Sequence, residues 1–360
     1  MGPFDTNWLQ TTITLATPLI FAAGGELIAE RAGVINIGLE GFMLAGAFFS
    51  FLVHWATGDL YLGVACGVAA GMVFASIMAL LSVNAKADQI VVGVGNNVLA
   101  AGVTTFAFRE VFADKPQVVL SQMQPWAIPG LSHIPLVGRV LFDQIPLVYL
   151  GYAFLPVLWW VLYRSTWGLA LRSAGEVPAA TDTAGIRVER VRWTATLIAG
   201  GAAGLGGAVL SGQIGQFVEN MSAGRGFIAL AAVVFGAWRP FGVLLACLVF
   251  GAADALQLRL QAYPTLPREV WALIALIALA YAVYVLARKA AGRSRLPGLV
   301  LGTVVIGVSL WLFAVPPHVS FPSQLWLAVP YVAAILALAG VVGRSRAPSA
   351  LSVPYIRGGG

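Results

Sequence analysis

Apolar runs of about twenty residues, separated by short polar connections, recur along almost the entire chain, and a membrane-spanning helix needs roughly that length. Such runs lie near 8–25, 34–53, 60–83, 89–108, 147–163, 193–213, 226–238, 241–260, 270–287, 298–315 and 325–343. They predict an all-α fold, a polytopic transmembrane helical bundle of about 10–11 spans. Two runs are irregular. The 34–53 run opens with polar residues. The 226–238 run is short and ends at Arg239-Pro240, where proline forbids simple continuation. Interrupted helices are expected at both places.

Composition supports this class. Of 360 residues, 59% are hydrophobic and 10% charged, with mean hydropathy +0.86. Soluble domains carry roughly 45–50% apolar and about 25% charged residues, so a water-soluble fold is excluded. The net charge of +6 does not point to nucleic acid, because the arginines sit in short connections between apolar runs. That placement reads as an orientation signal. The connections 164–192 and 288–297 and the tail after 343 carry most of the arginines and should share the cytoplasmic side. Even numbers of spans separate them, which agrees. Counting back places the N-terminus outside and the C-terminus in the cytoplasm, with 109–146 outside. That outer connection holds Pro116, Pro125, Pro129, Pro135 and Pro146. With Trp126 and the apolar residues around it, it reads as a lid packed on the outer face. The segment Met1 to Asn7 lacks the basic start of a signal peptide, so insertion is expected to use the first apolar run.

Most enzymatic chemistry is absent from the pattern. A phosphate-binding loop needs Gly-Lys followed by Ser or Thr, and none of Lys86, Lys115 or Lys289 follows a glycine. Val92-Gly93-Val94-Gly95-Asn96-Asn97 lacks the third glycine of a dinucleotide fingerprint. His54, His133 and His318 are scattered, and Cys66 and Cys247 lie within apolar runs, so no metal site or cofactor is expected.

Polar residues at membrane depth are the remaining candidates. They concentrate between Glu26 and Ala47. Asn36 and Glu40 fall on one helix face, as do residues lining a passage for a hydrated solute. Asn96 and Asn97 suit the same role. A structural role fits these four residues as well, with Glu40 pairing with a helix terminus or Arg31, and the nearby glycines packing helices closely. Asp254 is an isolated acid in mid-span. It or Glu40 would serve an ion-coupled secondary transporter of a small polar solute, the alternative reading. Glu40-Gly41-Phe42-Met43 resembles Arg225-Gly226-Phe227-Ile228, and both open an apolar segment after a glycine-rich lead-in. In the 164–192 connection, Pro178 suits a first helical turn and Gly185 a C-terminal cap. The segment 174–186 is therefore expected to form a short, compact docking helix.

Three blocks now carry a resemblance: Glu30-Arg31-Ala32-Gly33-Val34-Ile35-Asn36-Ile37-Gly38-Leu39-Glu40-Gly41; Arg172-Ser173-Ala174-Gly175-Glu176 through Ala184-Gly185-Ile186; and Gly224-Arg225-Gly226-Phe227-Ile228-Ala229-Leu230-Ala231-Ala232 through Phe235-Gly236-Ala237-Trp238-Arg239-Pro240. With residues 88–100 they hold, over about 10–290, the order found in permease subunits of bacterial ABC importers for nucleosides and simple sugars. The chain resembles the nucleoside-type branch. The resemblance implies a type II importer-like bundle in the bacterial plasma membrane, forming half of a pathway. Its implied partners are a cytoplasmic ABC ATPase, a second permease subunit (a paralogue), an extracytoplasmic substrate-binding lipoprotein and membrane lipid, with no nucleic acid. ATP hydrolysis belongs to a partner chain. Asn36, Glu40, Asn96 and Asn97 become pathway residues. Gly175, Glu176, Ala179, Ala180 and Gly185 become the coupling helix that meets the ATPase. The family's usual Glu-Ala-Ala trio is Ala179-Ala180-Thr181 here. The expected division is a permease domain over 1–297, two additional C-terminal helices over 298–343 and a flexible cytoplasmic tail over 344–360.

Overall fold

The structure, a computed structural model, describes residues 5–115, 118–135, 137–261, 267–287, 296–314, 326, 328–330 and 346–356. Its helices are α1 (Thr6–Arg31), α2 (Leu39–Thr57), α3 (Leu60–Ala79), α4 (Gln89–Phe112), α5 (Val137–Phe142), α6 (Pro146–Arg164), α7 (Thr166–Glu176), α8 (Pro178–Thr183), α9 (Val188–Ile214), α10 (Arg225–Phe235), α11 (Pro240–Leu260), α12 (Arg268–Ala287) and α13 (Leu296–Ala314). A two-residue ribbon pairs Trp126–Ala127 with Asp143–Gln144. Among the described residues, seven helices are long and apolar enough to cross a membrane: α1, α2, α3 with the π turn that extends it, α4, α6, α9 and α11. The chain is a multi-pass membrane protein. The 226–238 run is the short helix α10, and the 34–53 run becomes a helix only at Leu39. Most of the expected span at 325–343 lies outside the described residues.

Local chemistry sets the helix boundaries. Asp59 accepts from the amides of Tyr61 and Leu62, and Asp88 from those of Ile90 and Val91, which fixes the starts of α3 and α4. Pro18 sits inside α1 and has no N–H for the carbonyl of Thr14 four residues back. The Gln213 side chain on α9 donates to that carbonyl at 3.1 Å. A neighbouring helix thus repairs the proline break, as hydrocarbon surroundings demand.

The core is a seam of small residues centred on α9. A Cβ placed at Gly207 would lie 1.9 Å from the carbonyl oxygen of Met43, and one at Gly46 would lie 2.3 Å from that of Gly204. At Gly71 the distance to the Gly200 carbonyl would be 2.2 Å. Lipid tails are as apolar as side chains, so helices in a bilayer associate through close packing. Glycine here lets the backbones of α2, α3 and α9 touch.

The packing has an internal two-fold character. Gly25 meets Ala199 and Ala202, Gly206 meets Pro18, and Gln213 reaches Thr14, so α1 and α9 run antiparallel. Along α9, α3 also runs antiparallel, with Gly71 on Gly200 and Gly67 on Gly204. Along α1, α11 does the same, with Gly251 on Ala16 and Arg259 on Asp5 at 2.7 Å. Helices α9, α10 and α11 therefore repeat α1, α2 and α3 in inverted sense. The likeness between residues 40–43 and 225–228 marks corresponding helix starts.

The connection after α4 packs over the Asp5 end of the bundle. Met123, Val140 and Ile145 are buried there, whereas Trp126 is 65% exposed. The lid is held by these aliphatic residues rather than by the tryptophan. The tail differs more from expectation. Residues 346–356 do not hang free; they lie against the opposite end of the bundle. Ala350 donates its amide to the Gly175 carbonyl, Ser352 to Gly33, and Arg192 donates to the Val353 carbonyl at 2.7 Å.

Gly207→Val is expected to prevent recovery of folded protein from detergent, because the seam cannot open locally. Gly95 has open space around it on α4. Gly95→Ala should keep or raise the thermal midpoint of the isolated chain, by about 0.5–1 kcal/mol of helix stability. Fluorescence-detected unfolding of both variants is the measurement.

Candidate functional site

The polar residues of the apolar interior gather at three breaks in the helices. The first is residues 32–38, between α1 and α2. The amide of Asn36 donates to Glu26 Oε1 at 2.9 Å, and that of Ile35 to Gln89 Oε1 at 2.8 Å. Asn97 on α4 works in both directions: its Nδ2 donates to the Ile37 carbonyl at 2.9 Å, and its Oδ1 accepts from the Gly41 amide at 2.8 Å. Asn96 donates to the Phe74 carbonyl on α3 at 2.9 Å, tying α4 to its neighbour.

The second break lies between α9 and α10. Its last residues lead into the N-terminus of α10, where Gly224 at φ +83° caps the helix without a side chain. Glu40 supplies the missing acceptor from α2. Its Oε1 accepts from the Gly224 amide at 2.8 Å and its Oε2 from the Gly226 amide at 2.6 Å. The carboxylate meets both the free amides and the positive end of the helix dipole. Gly226 allows the approach, since a Cβ there would stand 2.4 Å from the Glu40 backbone. This helix end is filled by the protein's own carboxylate and is not an open anion site.

The third break joins α10 to α11. Ala237 and Trp238 both have φ +53°, a conformation that costs a non-glycine residue of order 1–3 kcal/mol. The end of α1 holds this turn. Arg31 donates Nε and Nη2 to the Trp238 carbonyl at 3.1 and 2.6 Å, and the Trp238 indole donates to Glu30. Asp254 on α11 faces Arg225 at 3.6 Å, so this mid-span acid has a counter-charge.

Of the candidate residues, Asn36, Glu40, Asn96 and Asn97 thus come together around the first two breaks. The side chains of Glu40, Asn96 and Asn97 bond to backbone groups of other helices and breaks. Asn36 precedes α2 and does not share a helix face with Glu40. It contributes its backbone amide, while its buried side-chain amide has no hydrogen-bond partner among the described residues. Glu26, Glu30, Gln89 and the Arg31–Trp238 contact belong to the same set. Glu26 and Glu30 stood out as acids in an apolar run, but nothing in their local sequence indicates what they hold.

Within the segment 174–186, residues up to Glu176 end α7 and a separate short helix, α8, covers Pro178–Thr183. Pro178 opens α8, and Gly185 at φ +85° follows its end. Ala179, Ala180 and Gly185 are exposed, while Thr181 is buried against Ser173. Gly175 and Glu176 sit differently. A Cβ at Gly175 would meet the Arg31 carbonyl at 2.2 Å, and Glu176 accepts from the amide and hydroxyl of Ser349. These two residues anchor α7 to α1 and to the tail, leaving α8 as the presented face. Among the described residues, no group of three His, Cys, Asp or Glu is placed to hold a metal.

Glu40→Gln replaces an acceptor by an amide donor and leaves Gly224 or Gly226 unpaired. The expected cost is about 1–3 kcal/mol, seen as a lower thermal midpoint in detergent. An unchanged midpoint would show that Glu40 does not hold α10.

Comparison with known proteins places this geometry. Residues 8–283 match the family described as the permease component of branched-chain amino acid transport systems. The chain is 35% identical to a guanosine ABC transporter permease of Bacillus subtilis, over 97% of this chain and 96% of that one. It is 39% identical to a nucleoside ABC transporter permease of Lactococcus lactis, over 67% and 78%. It is 43% identical to a Haloferax volcanii protein provisionally named a glucose ABC transporter permease, over 72% and 79%. No solved structure matches the chain.

Proposed function

The chain belongs to the family of branched-chain amino acid transport permease components, and from that premise we propose that it is the transmembrane permease subunit of an ATP-binding-cassette importer for nucleosides or related simple sugars. The observation that carries this reading is the near end-to-end likeness to a guanosine permease. That likeness also extends past residue 297, so the C-terminal segment is not peculiar to this chain.

The chain would form half of the pathway beside a second, paralogous permease. A separate cytoplasmic ATPase would supply the energy, and an extracytoplasmic lipoprotein would deliver the solute. We place α8 on the cytoplasmic side as the coupling helix, with Ala179, Ala180 and Gly185 on the docking face and Gly175 and Glu176 supporting it from behind. The arginine-rich 164–192 connection lies at that end, and so do residues 346–356. Asp5 lies at the other end with Arg259. This arrangement supports an outside N-terminus and a cytoplasmic C-terminus. Asn36, Glu40, Asn96 and Asn97 would shape the pathway by fixing the broken helices, whose ends must shift if access is to alternate.

The ion-coupled alternative finds less support. Glu40 is committed to two amides and Asp254 faces Arg225, so neither acid stands free to carry an ion.

The test is reconstitution with the ATPase, the second permease and the lipoprotein in proteoliposomes. Uptake should require ATP, persist with ionophores and vanish without the ATPase. Ala180→Arg, on the exposed face, should reduce uptake at least tenfold with an unchanged thermal midpoint. Gly175 is unsuited to this test, since any side chain there strikes α1. Full uptake by Ala180→Arg would remove α8 from the docking role.

A further inference from the structure

A cleft of about 450 Å³ opens between the Thr57 end of α2, the end of α4 and the loop after α9. It lies on the same end of the bundle as the 118–146 lid. Its floor and walls are Phe51, Phe108, Phe112 and Phe217. Phe217 meets Phe108 with ring centroids 5.2 Å apart and Phe51 at 6.3 Å, so the rings form one continuous aromatic surface. The volume is in the range that holds small organic ligands, roughly 300–1,000 Å³.

The rim carries one ion pair and one further cation. Arg109 and Glu219 form a two-pronged pair, with Nε on Oε1 at 2.8 Å and Nη2 on Oε2 at 3.0 Å. Lys115 places its ammonium 3.8 Å from the centre of the Trp55 ring. Gln216 offers an amide that donates and accepts. Flat aromatic walls, one amide and a single cation suit an uncharged planar heterocycle carrying ring nitrogens and carbonyls. A hydroxyl-rich sugar ring alone would leave its hydroxyls against phenylalanine.

The wall that carries Gln216, Phe217 and Glu219 is itself unusual. It is the loop whose far end, Gly224, is tethered to Glu40. Within it Asn220 and Ala223 hold φ of +58° and +47°. Strain of this kind gathers at ligand-binding and switching segments.

We propose that this cleft is an entry subsite of the permease that lays the base of an uncharged nucleoside over Phe108, the ring of this aromatic surface that is not buried, with Gln216 reading the base edge. The inference rests on the nucleoside branch of the proposed function. Ligand seated there touches the loop that Glu40 holds, so occupancy bears directly on the start of α10.

The test uses the assembled transporter with its ATPase, second permease and lipoprotein. 8-Azidoadenosine is photolysed with it, and labelled peptides are mapped. Label is expected on residues 108–118 or 216–219, competed by guanosine and not by glucose. Phe108→Ala and Gln216→Ala should each raise the half-saturating guanosine concentration for uptake about tenfold, and Phe108→Trp should restore it. Label confined to other segments while guanosine uptake proceeds would overturn the subsite and leave the importer reading standing. Crosslinking of the lipoprotein at Phe108 with no nucleoside label would also overturn it, making the cleft a protein contact. Absence of any nucleoside uptake by the unaltered assembly would overturn the nucleoside branch itself, and the subsite with it.

Discussion

A broken helix inside hydrocarbon must find partners for its free amides and carbonyls, and there is no water to provide them. That constraint organises this protein. Glu26, Gln89 and Asn97 close the gap between α1 and α2. Glu40 closes the gap before α10, and Arg31 with Glu30 holds the turn after it. Apart from Glu30, which accepts from the Trp238 indole, each of these side chains is matched to a specific backbone group. Their number is large for an apolar interior because the breaks are several, and each unpaired backbone group there costs several kcal/mol.

The breaks exist within a frame that is otherwise close-packed through glycine. Backbone contact along α9 leaves little freedom for α1, α2 and α3 to slide. The interrupted elements are held to that frame by hydrogen bonds as well as by close contacts such as Gly226 on Glu40. Hydrogen bonds of this sort can be exchanged for others at similar energy, whereas a glycine seam cannot reopen without a cavity. The inverted repeat sets one such break in each half, so α2 and α10 face each other through the Glu40 carboxylate. From there contacts run in unbroken sequence. Phe217 lies at the aromatic cleft, its loop leads to Gly224, and α10 leads to Trp238 and Arg31. Arg31 in turn backs Gly175 beneath α8.

Much of the fold was legible in the chain. Hydropathy located the long spans, and Pro178 with Gly185 marked α8 because caps are local chemistry. The irregular 34–53 and 226–238 runs showed where helices are interrupted, since a proline or a polar lead-in is visible without tertiary information. The tail was not legible. Pro348 to Gly360 reads as loose by composition, yet Ser349, Ala350, Ser352 and Val353 bond to Glu176, Gly175, Gly33 and Arg192. Those partners are distant in sequence, and two of the four are backbone carbonyls, which no residue pattern announces. The same holds for the lid, where Met123 and Val140 rather than Trp126 found the interior.

The sequence alone determined that the protein lies in a membrane, where its helices run and break, and which polar residues demand a reason to be buried. Tertiary structure alone decided what that reason is. Glu40 meets Gly224 across 184 residues and Arg31 meets Trp238 across 207. Periodicity and capping act over a few residues and follow from local sterics. The choice of partner for a buried carboxylate depends on which helix ends the packing brings within about 3 Å, and that is settled only when the whole bundle has closed.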